Sequence, residues 1–397
     1  MKQVFFFFYI IVFLAFVYSC TNKQSYNSLN DVRLIAVNPN SRPIGQLRLS
    51  EIAESITYIP LETNDNCLIG SVTKCLLSEN YILLYSSLGP GTGYCYLFSR
   101  TGHFVSQIGG IGHGPDEYVI LTDLLQLDEQ NNQIIIHSNT PEKIFYYDLT
   151  GRFIKSVSFE NDRYLMSYHN GFYLLKRNNN GHTPFSYTIW DDDFNEVAQK
   201  ITPIPFTMNP PNTIVGGTEL FSLYTYDNHV HIRENWLNDT LYRINDDFSF
   251  TPKYIVNVGK YEMTVEIRSN LEIFRREAQN CLTIYYMYEI KDHLLMEYRF
   301  SNERVKCYYN KKEDKLLYFS STSGIPNDYD GGLDYWPRFQ NNNQLISVYS
   351  AAQIKDRKKG SKIMATHGHS EAIARFEQMS QKIDIEDNPV LVIVTLK

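Results

Sequence analysis

The chain has 397 residues with 37 basic and 44 acidic side chains, which gives a formal net charge of −7 at pH 7. Hydrophobic residues make up 43% of it and aromatic residues 14%, enough to bury a large core, so the composition excludes a disordered chain. The sequence has no dense run of Lys and Arg. We therefore expect no nucleic-acid partner, because nucleic-acid binding depends on clustered positive charge.

The N-terminus has the pattern of a targeting segment. Residues 4–18 read VFFFFYIIVFLAFVY, and Lys2 is the only charged residue before Lys23. This run suits the hydrophobic region of a signal peptide and is short for a membrane-spanning helix, which needs about 20 residues. It ends in Val17-Tyr18-Ser19-Cys20, which resembles the lipobox of bacterial lipoproteins, although Tyr18 is bulkier than usual at its position.

The lipobox resemblance implies a lipoprotein of the cell envelope. Residues 1–19 are then the signal peptide, and residues 20–51 are the lipidated Cys20 followed by a tether to the outer membrane. No acidic cluster follows Cys20, which favours the periplasmic leaflet over the cell surface. A plain secretory signal and an uncleaved anchor are the alternatives.

Five further cysteines follow Cys20, an odd number that excludes a complete disulfide framework, and none forms a C-x-x-C pair. Cys75 and Cys95 lie on strands predicted to be near neighbours. They are either bridged or, as we expect for all five, buried free thiols.

An internal repeat organises the rest of the chain. Six segments each contain a short apolar strand, a turn rich in Asn or Asp, and a second strand. Their turns lie near Asn80, Asn132, Asn170, Asn228, Asp292 and Asn343, at spacings of 52, 38, 58, 64 and 51 residues. Each hairpin is followed by a third strand, and most by a fourth after a sharp turn, as at Gly102 and Gly151. Such repeats are typical of a β-propeller with one repeat per blade, so we predict an all-β, six-bladed propeller of four-stranded antiparallel blades over residues 52–397.

The last repeat lacks its fourth strand because the sequence ends directly after the third, Val390 to Leu396. The apolar segment Ile56 to Leu61 precedes the first repeat and has no partner there. We therefore predict that this N-terminal strand completes the last blade and closes the ring, which removes exposed strand edges.

This arrangement resembles the six-bladed β-propeller lipoproteins of Gram-negative envelopes, which are related to NHL-repeat and TolB-like propellers. The segments that carry the resemblance are IPLET (59–63), GGIGHGPDEY (109–118), NDTLYRI (238–244), GGLDYWPRF (331–339) and EDNPVLVIVTLK (386–397). The resemblance implies the propeller fold and adds little chemistry.

All long insertions fall in the loops between second and third strands or between blades, and these loops share one face of a propeller. We call it the long-loop face; its insertions are 202–219, 258–282, 322–337 and 351–388. Because insertions gathered on one face mark a binding surface, we expect the ligand there. Apolar residues at helical spacing predict helices in two insertions, over Met263–Leu282 and Ala372–Ile383, as lids or as docking helices for a partner.

Two loops carry the candidate ligand-binding residues. In GGIGHGPDEY, His113, Asp116 and Glu117 could bind a divalent cation or a polar ligand, or the segment is only a glycine-rich crossover between blades. The other loop offers carboxylates and an aromatic ring for a sugar or peptide, or is only folded over the last blade. Its candidates are Asp328, Asp330, Asp334, Trp336 and Arg338.

No sequence motif of a known catalytic or metal site is present. The Asp spacing near Asp328 lacks the terminal Glu of a calcium loop, and His229 and His231 have no third ligand nearby in sequence. We therefore expect no catalytic residues, no metal and no cofactor. The favoured function is a non-enzymatic binding or scaffold propeller that presents its long-loop face to a protein, peptide or glycan; the alternative is a hydrolase or lyase acting on glycans or lactones.

Overall fold

The structure is a computed structural model, and it describes residues 32–89, 92–158, 164–169, 171–176, 185–201, 204–211, 223–233, 237, 239–356 and 370–397. Nearly all of the described residues belong to one compact unit, Leu34–Lys397. The predicted signal peptide, Cys20, the turn at Asn170 and much of the insertion at 202–219 lie outside the described residues. Within the described ranges, no helix is long and apolar enough to span a membrane.

The secondary structure is mostly β. The strands are β1 (Arg33–Ala36), β2 (Ala53–Pro60), β3 (Ser71–Leu77), β4 (Tyr81–Gly89), β5 (Thr92–Ser99), β6 (Phe104–Ile108), β7 (Gly110–Ile111), β8 (Glu117–Tyr118), β9 (Ile120–Asp128), β10 (Gln133–Thr140), β11 (Glu142–Tyr147), β12 (Phe153–Ser158), β13 (Tyr164–His169), β14 (Phe172–Lys176), β15 (Phe185–Asp191), β16 (Glu196–Ile201), β17 (Leu223–Tyr226), β18 (His229–Arg233), β19 (Thr240–Ile244), β20 (Phe250–Asn257), β21 (Thr283–Ile290), β22 (His293–Phe300), β23 (Glu303–Asn310), β24 (Lys315–Tyr318), β25 (Phe339–Asn341), β26 (Gln344–Tyr349) and β27 (Val390–Leu396). The α-helices are α1 (Leu49–Ile52), α2 (Val265–Ser269), α3 (Leu271–Glu277), α4 (Ala351–Lys355) and α5 (Ser370–Lys382).

Four consecutive strands form each of four separate antiparallel sheets in a β-propeller arrangement. These blades are β3–β6, β9–β12, β13–β16 and β21–β24. Apolar side chains fill the space between neighbouring blades; Leu83 and Leu97 of the first blade, for example, share one buried cluster with Ile134 and Phe145 of the second.

The prediction is of six four-stranded blades; among the described residues four blades are separate sheets, and a nine-stranded sheet stands where two further blades were predicted. The order in that sheet is β1-β20-β19-β18-β17-β25-β26-β27-β2. Its two halves are joined where β17 and β25 pair in parallel at Thr225 and Asn341. There the Asn342 N–H donates to the Thr225 carbonyl at 2.7 Å, so the strand ends approach closely enough to merge two sheets.

The first long strand and the last strand of the chain are neighbours in the nine-stranded sheet. β2 pairs antiparallel with β27, so that Ala53 lies opposite Leu396 and Pro60 opposite Val390. β27 also pairs with β26 along its length. The last strand therefore lies between two partners, and the side chains of Val390, Leu391 and Val394 are fully buried.

The packed part of the chain begins before the predicted boundary at residue 52. Residues 33–51 contain β1 and α1, and they bury Ile35, Val37, Leu47 and Leu49. Residues 33–51, which we assigned to the tether, therefore belong to the packed part of the chain.

Third-to-fourth strand turns repeat one geometry. The N–H of the fourth turn residue donates to the carbonyl of the first: Gly102 to Ser99, Gly151 to Asp148, Phe194 to Asp191 and Phe248 to Asn245, at 2.9–3.0 Å. The fourth residue has φ of +89°, +81°, +64° and +62° in these turns. Glycine adopts this backbone without strain, whereas the two phenylalanines are held there by packing, Phe194 on Tyr173 and Phe248 on Phe172.

The helix predicted over Met263–Leu282 is two short helices, so a single continuous helix is wrong. Asn270 is extended (φ −114°, ψ 116°) and its side chain accepts the N–H groups of Glu272 and Ile273, which begins α3. Asn209 also pairs with Asn270, so a neighbouring segment interrupts the helix through backbone hydrogen bonds. The helix predicted at Ala372–Ile383 is present as α5.

Candidate functional site

The GGIGHGPDEY segment forms a turn that closes on itself. β7 and β8 pair in parallel, and Glu117 Oε2 accepts the Gly114 N–H at 2.7 Å. The Asp116 carbonyl accepts the Tyr147 hydroxyl at 2.7 Å, while the side chains of His113 and Asp116 are exposed. The Glu117 carboxylate thus closes its own loop, as in a crossover turn.

Asp328 and Asp330 are buried and bonded within the protein. Asp328 accepts the Ser50 N–H at 2.9 Å and the Ser50 hydroxyl at 2.7 Å, which fastens the loop to helix α1. Asp330 Oδ1 accepts the Asn327 amide at 2.8 Å and the Tyr58 hydroxyl at 3.1 Å. A ligand at either carboxylate would have to displace these contacts.

The other candidates of this loop are divided between interior and surface. Trp336 is buried against Phe319, with ring centroids 5.9 Å apart, and the Lys306 Nζ lies 5.4 Å from its ring. Arg338 is exposed, and the Asp334 carbonyl accepts a hydroxyl from Tyr349 at 2.9 Å. The loop therefore brings Asp328 to helix α1 and Asp330 to Tyr58 on β2, but it does not gather all five candidates at one surface.

The five described cysteines are free and buried. Cys75 lies on β3 and Cys95 on β5, with β4 between them. Burial raises the pKa of the Cys75 thiol to about 12 and raises that of Cys95 further. Both thiols stay protonated and unreactive near neutral pH.

A buried ionic cluster, which the sequence did not predict, lies between the nine-stranded sheet and the β21–β24 blade. Glu289 Oε1 accepts the Lys311 ammonium at 2.7 Å and the Tyr254 hydroxyl at 2.6 Å. Burial by itself would raise the pKa of Glu289, but Lys311 and these hydrogen bonds lower it overall. His231 Nε2 lies 3.8 Å from Glu289 Oε2, and its ring stacks on Tyr224 at 5.1 Å.

Two concave surfaces lie beside the insertions. The first, a pocket of about 220 Å³, has a lining of mixed polarity that includes the buried Arg233. Arg233 donates to Asp239 at 2.8 Å and to the Ile284 carbonyl at 2.6 Å. Its guanidinium is thereby engaged in joining neighbouring sheets.

The second concave surface is a groove of about 520 Å³, which we call the α5 groove. One wall is the α5 face formed by Arg375, Gln378, Met379 and Lys382. The opposite wall consists of residues 60–63 after β2 and residues 101–103 between β5 and β6. The groove thus combines one insertion of the long-loop face, 351–388, with residues 60–63 and with the tight turn between β5 and β6.

Packing holds α5 in place beside the groove. Phe376 is 1% exposed and its ring centroid lies 5.0 Å from that of Tyr58 on β2. Ala372 and Ile383 are also buried. Because this apolar stripe faces the sheets, the positions beside it on the helix line the groove.

The two carboxylates of the α5 groove are bonded within the protein. Glu62 accepts the Phe104 N–H at 2.9 Å and the Asn64 amide at 2.8 Å, and these two bonds hold its pKa below the ordinary value. Asp387 Oδ2 accepts the Asp384 N–H at 2.7 Å.

The cations of the α5 groove have few partners. Among the described residues, Arg375 contacts one carboxylate, that of Glu371 at 3.7 Å, and both side chains are exposed. Lys382 has no ion pair or side-chain hydrogen bond within those same ranges. In the described part of the chain, no group of three His, Cys, Asp or Glu side chains could hold a metal ion.

The sequence profile of a family described as a domain of unknown function, DUF4934, matches residues 33–395. The chain belongs to the DUF4934 family. No curated protein matches this DUF4934 chain in sequence.

Solved structures of similar fold include two from Bacteroides species and one from Agrobacterium tumefaciens. The chain is similar to a candidate exported protein of Bacteroides fragilis, with a TM-score of 0.68 and 18% identity over 92% of this chain and 99% of that one. A DUF4221 family member from Bacteroides vulgatus has a TM-score of 0.47 and 12% identity, covering 87% of this chain and 97% of its own. A candidate TolB of Agrobacterium tumefaciens has a TM-score of 0.37 and 10% identity, covering 67% and 88%.

Proposed function

We propose that this DUF4934 chain is an envelope lipoprotein whose propeller is a non-enzymatic binding module, with the α5 groove as its ligand site. The single observation that carries the proposal is the groove itself, in which exposed cationic donors face a volume of about 520 Å³. A groove of this size and mixed polarity suits a segment of a protein, peptide or glycan.

The proposed envelope location is supported by the signal-like residues 1–19 and by Cys20, and the structural relative in Bacteroides fragilis is a candidate exported protein. The lipid on Cys20 would hold the groove near the outer membrane, in the periplasmic leaflet. Several acyl chains on one Cys give durable attachment, since each buried methylene contributes about 0.8 kcal/mol.

We also propose that the nine-stranded sheet consists of two blades, which makes the ring six-bladed. Repeated contacts support this count. A Cβ at Gly151 would lie 2.5 Å from the carbonyl oxygen of Gln107 on β6, the fourth strand of the preceding blade. A Cβ at Gly102 would lie 2.2 Å from the Pro60 carbonyl oxygen, so β2 occupies the equivalent fourth-strand position.

Affinity capture from detergent-solubilised envelope tests the proposed function. Gln378→Trp places a large ring in the groove, whereas Gln381→Trp makes the same change on the exposed side of α5 that does not line it. We expect a ligand that the wild type and Gln381→Trp retain and Gln378→Trp loses. Identical captured material from all three proteins would contradict a ligand site in the groove.

A Cys20→Ser variant tests the lipid anchor separately. If this variant stays in the membrane fraction, that result would contradict the anchor.

A further inference from the structure

The α5 groove presents a spaced pair of cationic groups. Arg375 and Lys382 are seven residues apart on α5, and both line the groove. Seven residues of α-helix span about 10 Å and two turns, so the two side chains leave the same face of the helix.

The carboxylates of the α5 groove already have hydrogen-bond partners within the protein, whereas its two cations are more available to a ligand. Glu62 and Asp387 already accept backbone N–H groups at 2.9 and 2.7 Å. Arg375 and Lys382, by contrast, are exposed, and their only ion pair within the described ranges is the surface pair of Arg375 with Glu371. A surface pair of this kind contributes about 0–1 kcal/mol and exchanges readily for a ligand.

Resting on the proposed function, we propose that the ligand of the α5 groove is an extended acidic peptide segment with carboxylates three residues apart. In a polyproline II helix, residues i and i+3 lie on the same face about 9 Å apart, which matches the spacing of Arg375 and Lys382. Carboxylates would accept charge-assisted hydrogen bonds from the two cations. Met379, which lies between the two cations on α5, provides an apolar contact.

The lining also favours a peptide over a glycan. Sugar rings are commonly bound by stacking on aromatic side chains, and the lining residues include no Trp, Tyr or Phe. The hydroxyl groups of Thr63 and Thr101 line the opposite wall and can bond to backbone groups of a peptide.

Fluorescence anisotropy with labelled model peptides tests the proposal on the full-length protein. The probe is a peptide of four Glu-Pro-Pro units, which favours polyproline II and places a carboxylate at every third residue. Its controls are the Gln-Pro-Pro peptide, which lacks charge, and the Glu-Gly-Gly peptide, which lacks the preformed helix. We expect Glu-Pro-Pro to bind at least tenfold more tightly than either control.

The double variant Arg375→Glu/Lys382→Glu should weaken binding of Glu-Pro-Pro at least tenfold. The matched variant Lys260→Glu/Arg275→Glu makes the same charge change at exposed positions outside the groove, and it should bind within about twofold of the wild type. Equal binding by both double variants, or equal binding of the Gln-Pro-Pro peptide, would overturn the proposal. If the peptide does not bind but envelope capture still depends on Gln378, the groove is a ligand site for another class of molecule.

Discussion

At the scale of single residues, the carboxylates of the 322–337 loop show how a functional pattern can have a structural use. Asp328 bonds to Ser50, and Asp330 to Asn327 and Tyr58, so the acidic loop is fastened to the N-terminal segment. Sequence predicts the chemistry of these residues but not their partners, because Ser50 and Asp328 are 278 positions apart. The aromatic candidate Trp336 likewise lies in the core, where its ring packs on Phe319.

Two buried histidines predict a pH dependence of stability. Burial lowers the pKa of His231 to about 4 and that of His137 to about 4, against an ordinary value of 6.5. Above pH 6.5 both states of the protein keep these rings neutral. As the pH falls from 6.5 to 4 only the unfolded chain gains the protons, so the free energy of unfolding should fall by about 3 kcal/mol per histidine.

Urea denaturation between pH 7 and pH 4 checks this expectation. A His231→Phe variant should lose about 3 kcal/mol of the pH dependence in that window. The control His113→Gln alters an exposed ring and should leave the dependence unchanged. If His231→Phe and the wild type had the same pH profile, protonation of His231 would not limit stability.

At the scale of elements, periodicity predicted helix α5 but not the break between α2 and α3. In α5 the apolar stripe faces the sheets throughout, so pattern and structure agree. At Asn270 the same kind of pattern continues across a turn, and only the backbone pairing with Asn209 interrupts it. The segment around Asn209 is far from Asn270 in sequence, so its backbone pairing cannot be read from the apolar spacing of one helix.

The attachment of α5 should depend mainly on Phe376. Phe376→Ala removes a fully buried ring that packs on Tyr58, and it should destabilise the protein by about 3–5 kcal/mol. The control Gln381→Ala is on the exposed side of the helix and should change stability by less than about 0.5 kcal/mol. The midpoints of urea denaturation measure both; a Phe376→Ala midpoint equal to that of the wild type would mean that α5 is not held through this ring.

At the scale of the whole molecule, the last strand links the two ends of the packed chain. β27 pairs with β26 on one side and β2 on the other, and most of its side chains are buried. Removing it would leave two unpaired strand edges and open the apolar space that its side chains fill.

Truncation after Asn388 should therefore lower the thermal transition of the entire protein or prevent folding. Deleting Lys397 alone keeps β27 and serves as the control, with a change of at most a few degrees. Differential scanning calorimetry measures both proteins. A truncated chain that kept the wild-type transition would show that the fold does not depend on its C-terminal strand.

The sequence by itself determined the all-β repeat, the short hairpin turns and helix α5, because these follow from local periodicity and from turn residues that tolerate a left-handed backbone. It also located the pairing of β2 with β27, since the segment at 56–61 had no partner nearby in the chain and the last repeat lacked a fourth strand. Only the tertiary structure decided that β17 and β25 merge two sheets, that Asp328 and Asp330 are bonded internally, and that α5 forms a groove with residues 60–63 and 101–103. Those outcomes depend on contacts between residues more than 100 positions apart, whose distances are set by how the sheets pack and not by any local pattern.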